Sequence, residues 1–459
     1  MQEERYVVAV DFGSSKISLS VSEVSAGSPK LLFFESRYSE GVTRGKVSNP
    51  KKATEPLMEL ISKAQSELNI SIDQAVVAMP RWKIRSTVFE KQIERSNASE
   101  FIDRDEVTQL KEMVVDDVKN GLNPNEALYD IMALSFSTDD LYQVSENDVL
   151  GAVGSSLGGK FIAFCGPQNG VSNIDRVFNE CNLGLVRNYF TPGIVSKHIL
   201  SADEKELGVA LVEIGAAVTS VSIYHKGAIR YYNSFPFGGK SVTFDIRTEC
   251  NIDFNLAENI KRGFGSCMSE RLCTLNDKIL QINNPRSSEK QQLPVKYLSE
   301  IIGCRMKEIV DACMHLICES GYKDKLRYGI VLCGGAAETL NLVNLFSSMS
   351  GLQCRVGTPY LTGLCSEASQ EAMILAAARN KNINCAGPVV EESEEHTSQE
   401  EKEEDSLFSK NELEEIEVNT EKQKEKPKEP KKKKKKLKFL DLDNLVSLFD
   451  NTYNEMGKE

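Results

Sequence analysis

Histidine and tryptophan are scarce in this chain, with 4 and 1 in 459 residues, and its 12 cysteines contain no CxxC pair. That composition excludes a zinc site or a disulfide scaffold and suits a reducing compartment. Most of the cysteines are expected to serve as small buried apolar residues. No apolar run approaches the roughly 20 residues of a membrane-spanning helix. The first residues, MQEERYVVAV, place Glu3 and Glu4 where a secretory signal would be basic and then apolar. A basic stripe with interleaved aromatics is also missing before residue 380, which excludes nucleic acid as a partner.

What is present is a charge imbalance and a repeated hairpin. The net charge of −12 is concentrated late: residues 391–430 hold 16 acids and 6 lysines, and 431–459 hold 8 lysines and 5 acids. Near the start, two β-branched runs, 7–10 and 17–21, flank the turn Asp11-Phe12-Gly13-Ser14-Ser15-Lys16. In the second run Ile17, Leu19 and Val21 alternate with Ser18, Ser20 and Ser22, the period of a strand with one buried face. Gly13, Ser14 and Ser15 leave backbone N–H groups open to an anion, Lys16 adds positive charge, and Asp11 suits a Mg²⁺ held through its waters. A plain tight turn explains the same residues. The balance shifts with a second copy: AVDFGSSKISLSV (9–21) aligns with LVEIGAAVTSVSI (211–223), acid on acid at Asp11 and Glu213, glycine on glycine at Gly13 and Gly215. Two related half-domains with facing hairpins would grip a polyphosphate from both sides.

Between and after these copies the pattern is α/β. Ala53, Leu57, Leu60, Ile61, Ala64 and Leu68 mark an amphipathic helix, and 76–79 a short buried strand ended by Pro80. Residues 86–159 change texture to short strands and polar helices, an α+β insertion that divides the first lobe into 1–85 and 160–202. The second lobe spans 203–385. Within it, Gly238 and Gly239 break the chain before a helix, and Glu258 and Lys261 lie three apart on another helix, a spacing that by itself means a salt bridge. A buried strand then runs into Gly334-Gly335-Ala336-Ala337, where a helix crosses closely or a planar base stacks.

In this order the acidic hairpins, the Gly-Gly turn and the strand–GGAA–helix resemble the actin/Hsp70/sugar-kinase superfamily, and within it the FtsA family of bacterial cell-division proteins. The resemblance covers about 6–380 and rests on DFGSSK, GVTRGKV, DEKELGVALVEIG, FPFGGKSVTFDI, AENIK and GIVLCGGAA, with the early insertion as the feature that separates FtsA from other actin-like proteins. It implies a two-lobed ATP-binding fold with Mg²⁺ weakly held. The nucleotide contacts it implies are Asp11, Gly13, Ser14, Ser15, Lys16, Glu213, Gly215, Ala216, Thr219, Gly238, Gly239, Glu258, Lys261, Gly334, Gly335 and Ala336. It further implies self-assembly, FtsZ and later division proteins as partners, and a place on the cytoplasmic face of the membrane at mid-cell. In the second hairpin Glu213 is one methylene longer than the family's acid, Ala217 replaces a glycine, and Val218 and Ser220 replace a hydroxyl and a carboxylate. Those departures bear on metal binding and hydrolysis, so the chain is expected to bind ATP without being primarily an enzyme. A phosphotransferase and a PilM-type pilus-assembly scaffold are the rival readings.

The tail extends the pattern. Residues 386–430 have the composition of a disordered acidic linker. Lys431, Lys432, Lys433, Lys434, Lys435 and Lys436 then precede a helical stripe of Leu442, Leu445, Val446, Phe449, Tyr453 and Met456. Such a stripe needs an external apolar partner, either a protein groove or a membrane. Each lysine adds on the order of 1 kcal/mol near an anionic leaflet, and the family resemblance implies a membrane-targeting helix here.

Overall fold

The structure is a computed structural model and describes residues 5–25, 28–283, 290–357 and 367–388. The expected linker and amphipathic helix lie outside these residues, apart from Ala386–Pro388.

Two five-stranded sheets carry the two lobes. The first runs in the order Gly184–Tyr189, Gln74–Ala78, Arg5–Phe12, Lys16–Ser25, Ser28–Tyr38. The second runs Cys354–Val356, Ile330–Cys333, Val209–Ile214, Thr219–His225, Ala228–Phe235. In each, an acidic hairpin pairs antiparallel with a third strand, and its first strand pairs parallel with a later one. The repeat seen in 13 aligned residues is thus the seed of a repeated topology. Parallel pairing forces helical crossovers, and helices such as Pro50–Leu68 and Val295–Glu319 supply the cover for the sheets.

That cover changes the reading of individual strands. Ser18, Ser20 and Ser22 were expected on an outward face, yet all three are buried. The helix Ala368–Ala378 lies over them: Ser20 Oγ donates to Gln370 Oε1 at 2.6 Å, and Gln370 Nε2 donates to the Ser18 carbonyl at 3.0 Å. The strand is buried on both faces; hydrogen bonds satisfy Ser18 and Ser20 on the polar one, whereas the Ser22 hydroxyl is buried without a partner among the described residues.

The same helix corrects a boundary. Residues to 385 were assigned to the second lobe, but Ala372, Met373, Ile374 and Ala377 pack into the first lobe's core. The strand Ala386–Pro388, expected as the start of the linker, pairs with Ile70–Ile72 in that lobe. Arg5 fastens this return, its guanidinium donating to the carbonyls of Asn380, Ile383 and Ala378 at 2.7–3.0 Å.

The insertion is a three-stranded sheet, Arg85–Glu94, Ser156–Pro167 and Glu126–Ser137, with Arg104–Asn120 packed on it. That helix opens with a capping box between Asp103 and Glu106. The insertion runs past the expected end at 159, because Gly158 and Gly159 are mid-strand. A Cβ on Gly159 would stand 2.5 Å from the Phe161 ring and 3.0 Å from Leu110, so this glycine allows close packing within the strand. Phe161, Ala163 and Cys165 face the insertion's own core, while Ile162 and Phe164 face the first lobe's.

Candidate functional site

Strand alternation presents the second acid to the first lobe. Along Val209–Ile214, Ala210, Val212 and Ile214 enter the second lobe's core, while Val209 and Leu211 enter the first lobe's. Glu213 is in phase with the latter pair and so faces across the lobes. There it accepts from Arg81: Nη1 donates to Glu213 Oε1 at 2.7 Å, and the glutamate side chain is 6% exposed. Arg81 follows the strand Gln74–Ala78, whose neighbour in the sheet ends at Asp11 and Phe12. Its carbonyl accepts from the Tyr232 hydroxyl of the second lobe at 2.5 Å. Burial pulls the Arg81 pKa down, but the charges of Glu213 and then Asp11 outweigh it and raise the net value. Breaking one side of such a buried pair costs about 3–5 kcal/mol, because the other charge is left alone.

The first hairpin is equally engaged. Asp11 Oδ2 accepts from Ser369 Oγ at 2.8 Å, and Lys16 Nζ meets Glu367 Oε1 at 2.5 Å. Gly13 keeps the turn tight, since a Cβ there would be 2.7 Å from the Lys16 carbonyl oxygen. The Ser15 carbonyl accepts from the Ser39 amide at 3.0 Å. Ser14 holds two partners: its Oγ accepts from the Gly45 amide at 2.6 Å, and its carbonyl accepts from Lys240 Nζ at 2.6 Å. Lys240 belongs to the second lobe, so this is a second bridge between the lobes. Burial lowers its pKa, partly offset by the charge of Glu258.

Around the second hairpin the backbone is folded on itself. Gly239 and Lys240 amides donate to the Gly215 and Ala216 carbonyls at 2.9 and 2.7 Å, and Thr219 Oγ1 donates to the Phe237 carbonyl at 2.9 Å. A Cβ on Gly238 would lie 2.3 Å from the Gly215 oxygen, so only glycine permits this approach. Glu258, Lys261 and Ala336 converge next to it. Lys261 Nζ donates to the Gly239 carbonyl at 3.0 Å, to Thr243 Oγ1 at 2.9 Å and to Glu258 Oε2 at 2.7 Å. Burial lowers the Lys261 pKa, and its bond to Glu258 opposes that shift. A Cβ on Gly239 would be 3.2 Å from Ala336 Cβ, which puts the GGAA turn against this cluster. Gly334 turns the chain at φ +90° against Ile214, whereas a Cβ on Gly335 would meet nothing within 4 Å.

The residues singled out in the sequence therefore fall into two groups. Gly215, Ala216, Gly238, Gly239, Glu258, Lys261 and Ala336 are brought together directly. The first hairpin joins them through Lys240, and Arg81 pairs with Glu213 within electrostatic reach of Asp11. Both cations were missed as site residues. Lys240 had a signal, a lysine directly after Gly-Gly at a helix start; Arg81 had only its place after a buried strand and Pro80. Among the described residues, no group of histidines, cysteines and carboxylates is arranged to hold a metal ion, and no helix is long and apolar enough to cross a membrane.

Residues 210–378, which contain the second hairpin, the Gly-Gly turn and the GGAA turn, match the family described as "Cell division protein FtsA". The chain is also 25% identical over 368 residues to the cell division protein FtsA of Neisseria meningitidis serogroup B, covering 79% of this chain and 86% of that one. It is 27% identical over 363 residues to that of Pseudomonas aeruginosa, covering 78% and 84%. This chain is similar to the FtsA family. Among solved structures, the PilM–PilN type IV pilus biogenesis complex superposes with a TM-score of 0.54 at 16% identity, covering 83% of this chain and 98% of that one. That likeness shows the shared actin-like fold.

Proposed function

We propose that this FtsA-like protein binds ATP between its two hairpins, assembles with itself, and tethers the FtsZ ring to the cytoplasmic face of the membrane at mid-cell, where it helps recruit later division proteins. The observation that carries the nucleotide part is the convergence of Gly239, Lys261 and Ala336 beside two bridged acidic hairpins. The sequence of the tail, six lysines followed by an apolar stripe, supports the tether. A fluorescent fusion is expected to form a mid-cell band and to disperse when residues 431–459 are removed. A truncation that spares division and abolishes pili would instead favour the pilus-scaffold reading.

Hydrolysis is proposed to be weak or absent. Glu213 is held by Arg81, and Val218 and Ser220 stand where the family has a hydroxyl and a carboxylate, which removes groups that would position a water. Phosphate release well below about 1 per second is expected with saturating ATP. Steady release at that rate or faster overturns this part.

A further inference from the structure

Asp11 and Glu213 are the carboxylates that a divalent cation would use, but the donor set does not suit Mg²⁺. That ion needs near-ideal octahedral geometry and keeps several of its waters. Here Glu213 Oε1 accepts from Arg81 at 2.7 Å, its Oε2 faces the Ser220 hydroxyl at 3.5 Å, and Asp11 Oδ2 accepts from Ser369 at 2.8 Å. A permanent positive charge, Arg81, already stands against Glu213 and adds its field at Asp11. Resting on the nucleotide-binding reading above, we infer that Arg81 takes the metal's role at the polyphosphate, so that this protein binds a nucleoside triphosphate without a divalent cation.

The surrounding geometry fits that role. A guanidinium offers five donors in a planar fork, enough to keep Glu213 and still meet phosphate oxygens. Arg81 is held from both lobes: the Met79 amide just before it donates to the Tyr189 carbonyl at 2.8 Å, and its own carbonyl accepts from Tyr232 at 2.5 Å. Next to it, the Arg44 guanidinium lies 4.5 Å from the centre of the Trp82 ring, and the Gly45 amide reaches Ser14 Oγ. The loop of residues 41–47 thus stands beside the first hairpin and adds cationic charge to the same region. With Lys240 on the Ser14 carbonyl, positive groups reach the hairpins from both lobes. A polyphosphate lying between them would meet fixed cations, with no hydrated metal to be shed or ordered.

The test is ATP titration by calorimetry on the full chain, once with excess Mg²⁺ and once with excess EDTA. The wild type is expected to bind with dissociation constants within about threefold of each other. Arg81→Met should weaken binding in EDTA by about tenfold to a hundredfold, the worth of charged hydrogen bonds, and Mg²⁺ should restore much of the loss. Arg81→Lys keeps the charge without the fork and should bind in EDTA within about tenfold of wild type. Wild-type binding that falls more than about tenfold in EDTA overturns the inference while leaving the nucleotide reading intact. Arg81→Met matching wild type in EDTA overturns it too. No ATP binding by wild type under either condition overturns both.

Discussion

Vesicle binding by the full chain is expected to vanish when Leu445 and Phe449 are both changed to glutamate. Both residues sit on the apolar stripe of the tail sequence, so the double change puts two charges on the face that would enter the lipid interface. A single weak anchor gives only marginal, reversible attachment, and the lysines at 431–436 cannot replace the apolar contribution. Changing those six lysines to glutamine should weaken binding to anionic vesicles and spare what little binds neutral ones. High salt should mimic the lysine change, because the Debye length shrinks from about 8 Å at physiological ionic strength to about 3 Å at 1 M. Flotation unaffected by the Leu445/Phe449 pair would remove the helix as the anchor and make a protein groove the better account.

Gly335→Asp is expected to weaken ATP binding by about a hundredfold or more, about 2.7 kcal/mol, without lowering the unfolding temperature. The two halves of that expectation come from different facts. A Cβ at Gly335 would meet no atom within 4 Å, so the fold itself has room for the side chain. The turn it begins, Gly335–Glu338, includes Ala336, which packs against Gly239 beside Lys261, where the base is proposed to lie. A carboxylate there fills the space and repels the phosphates. Gly238→Ala is the contrasting variant: its Cβ would be 2.3 Å from the Gly215 oxygen and 2.9 Å from the Ala216 oxygen, both backbone. That change should cost stability as well as binding. Calorimetry with ATP alongside thermal unfolding checks both, and a Gly335→Asp variant that bound ATP like wild type would sink the base-stacking assignment.

Sequence alone determined the parts of this protein that are written in short-range pattern. Alternation and β-branched runs delimited the two hairpins, and their alignment disclosed the repeat that became two sheets of the same topology. Helical spacing placed Pro50–Leu68, and the three-residue offset of Glu258 and Lys261 correctly put them in contact. Such signals survive because they concern residues close along the chain, where the backbone geometry is already known. The family likeness came from the same local motifs, which is why it singled out Gly215, Gly238 and Gly239 before their contacts were seen.

Tertiary structure decided what lies between distant segments. Arg81 reaches Glu213 across 132 residues and Lys240 reaches Ser14 across 226, and nothing in the sequence says which partner either cation meets. Ser18 and Ser20 read as an outward face because serine is polar, yet a helix some 350 residues later supplies the partners that make their burial cheap. Residue 159 read as the end of the insertion, whereas Gly158 and Gly159 lie mid-strand and admit the Ser137 side chain and the Phe161 ring. In each case a single residue type allows two environments of opposite character. Which one it occupies depends on what the rest of the chain brings against it, and that is set by the packing of whole lobes rather than by neighbours in sequence.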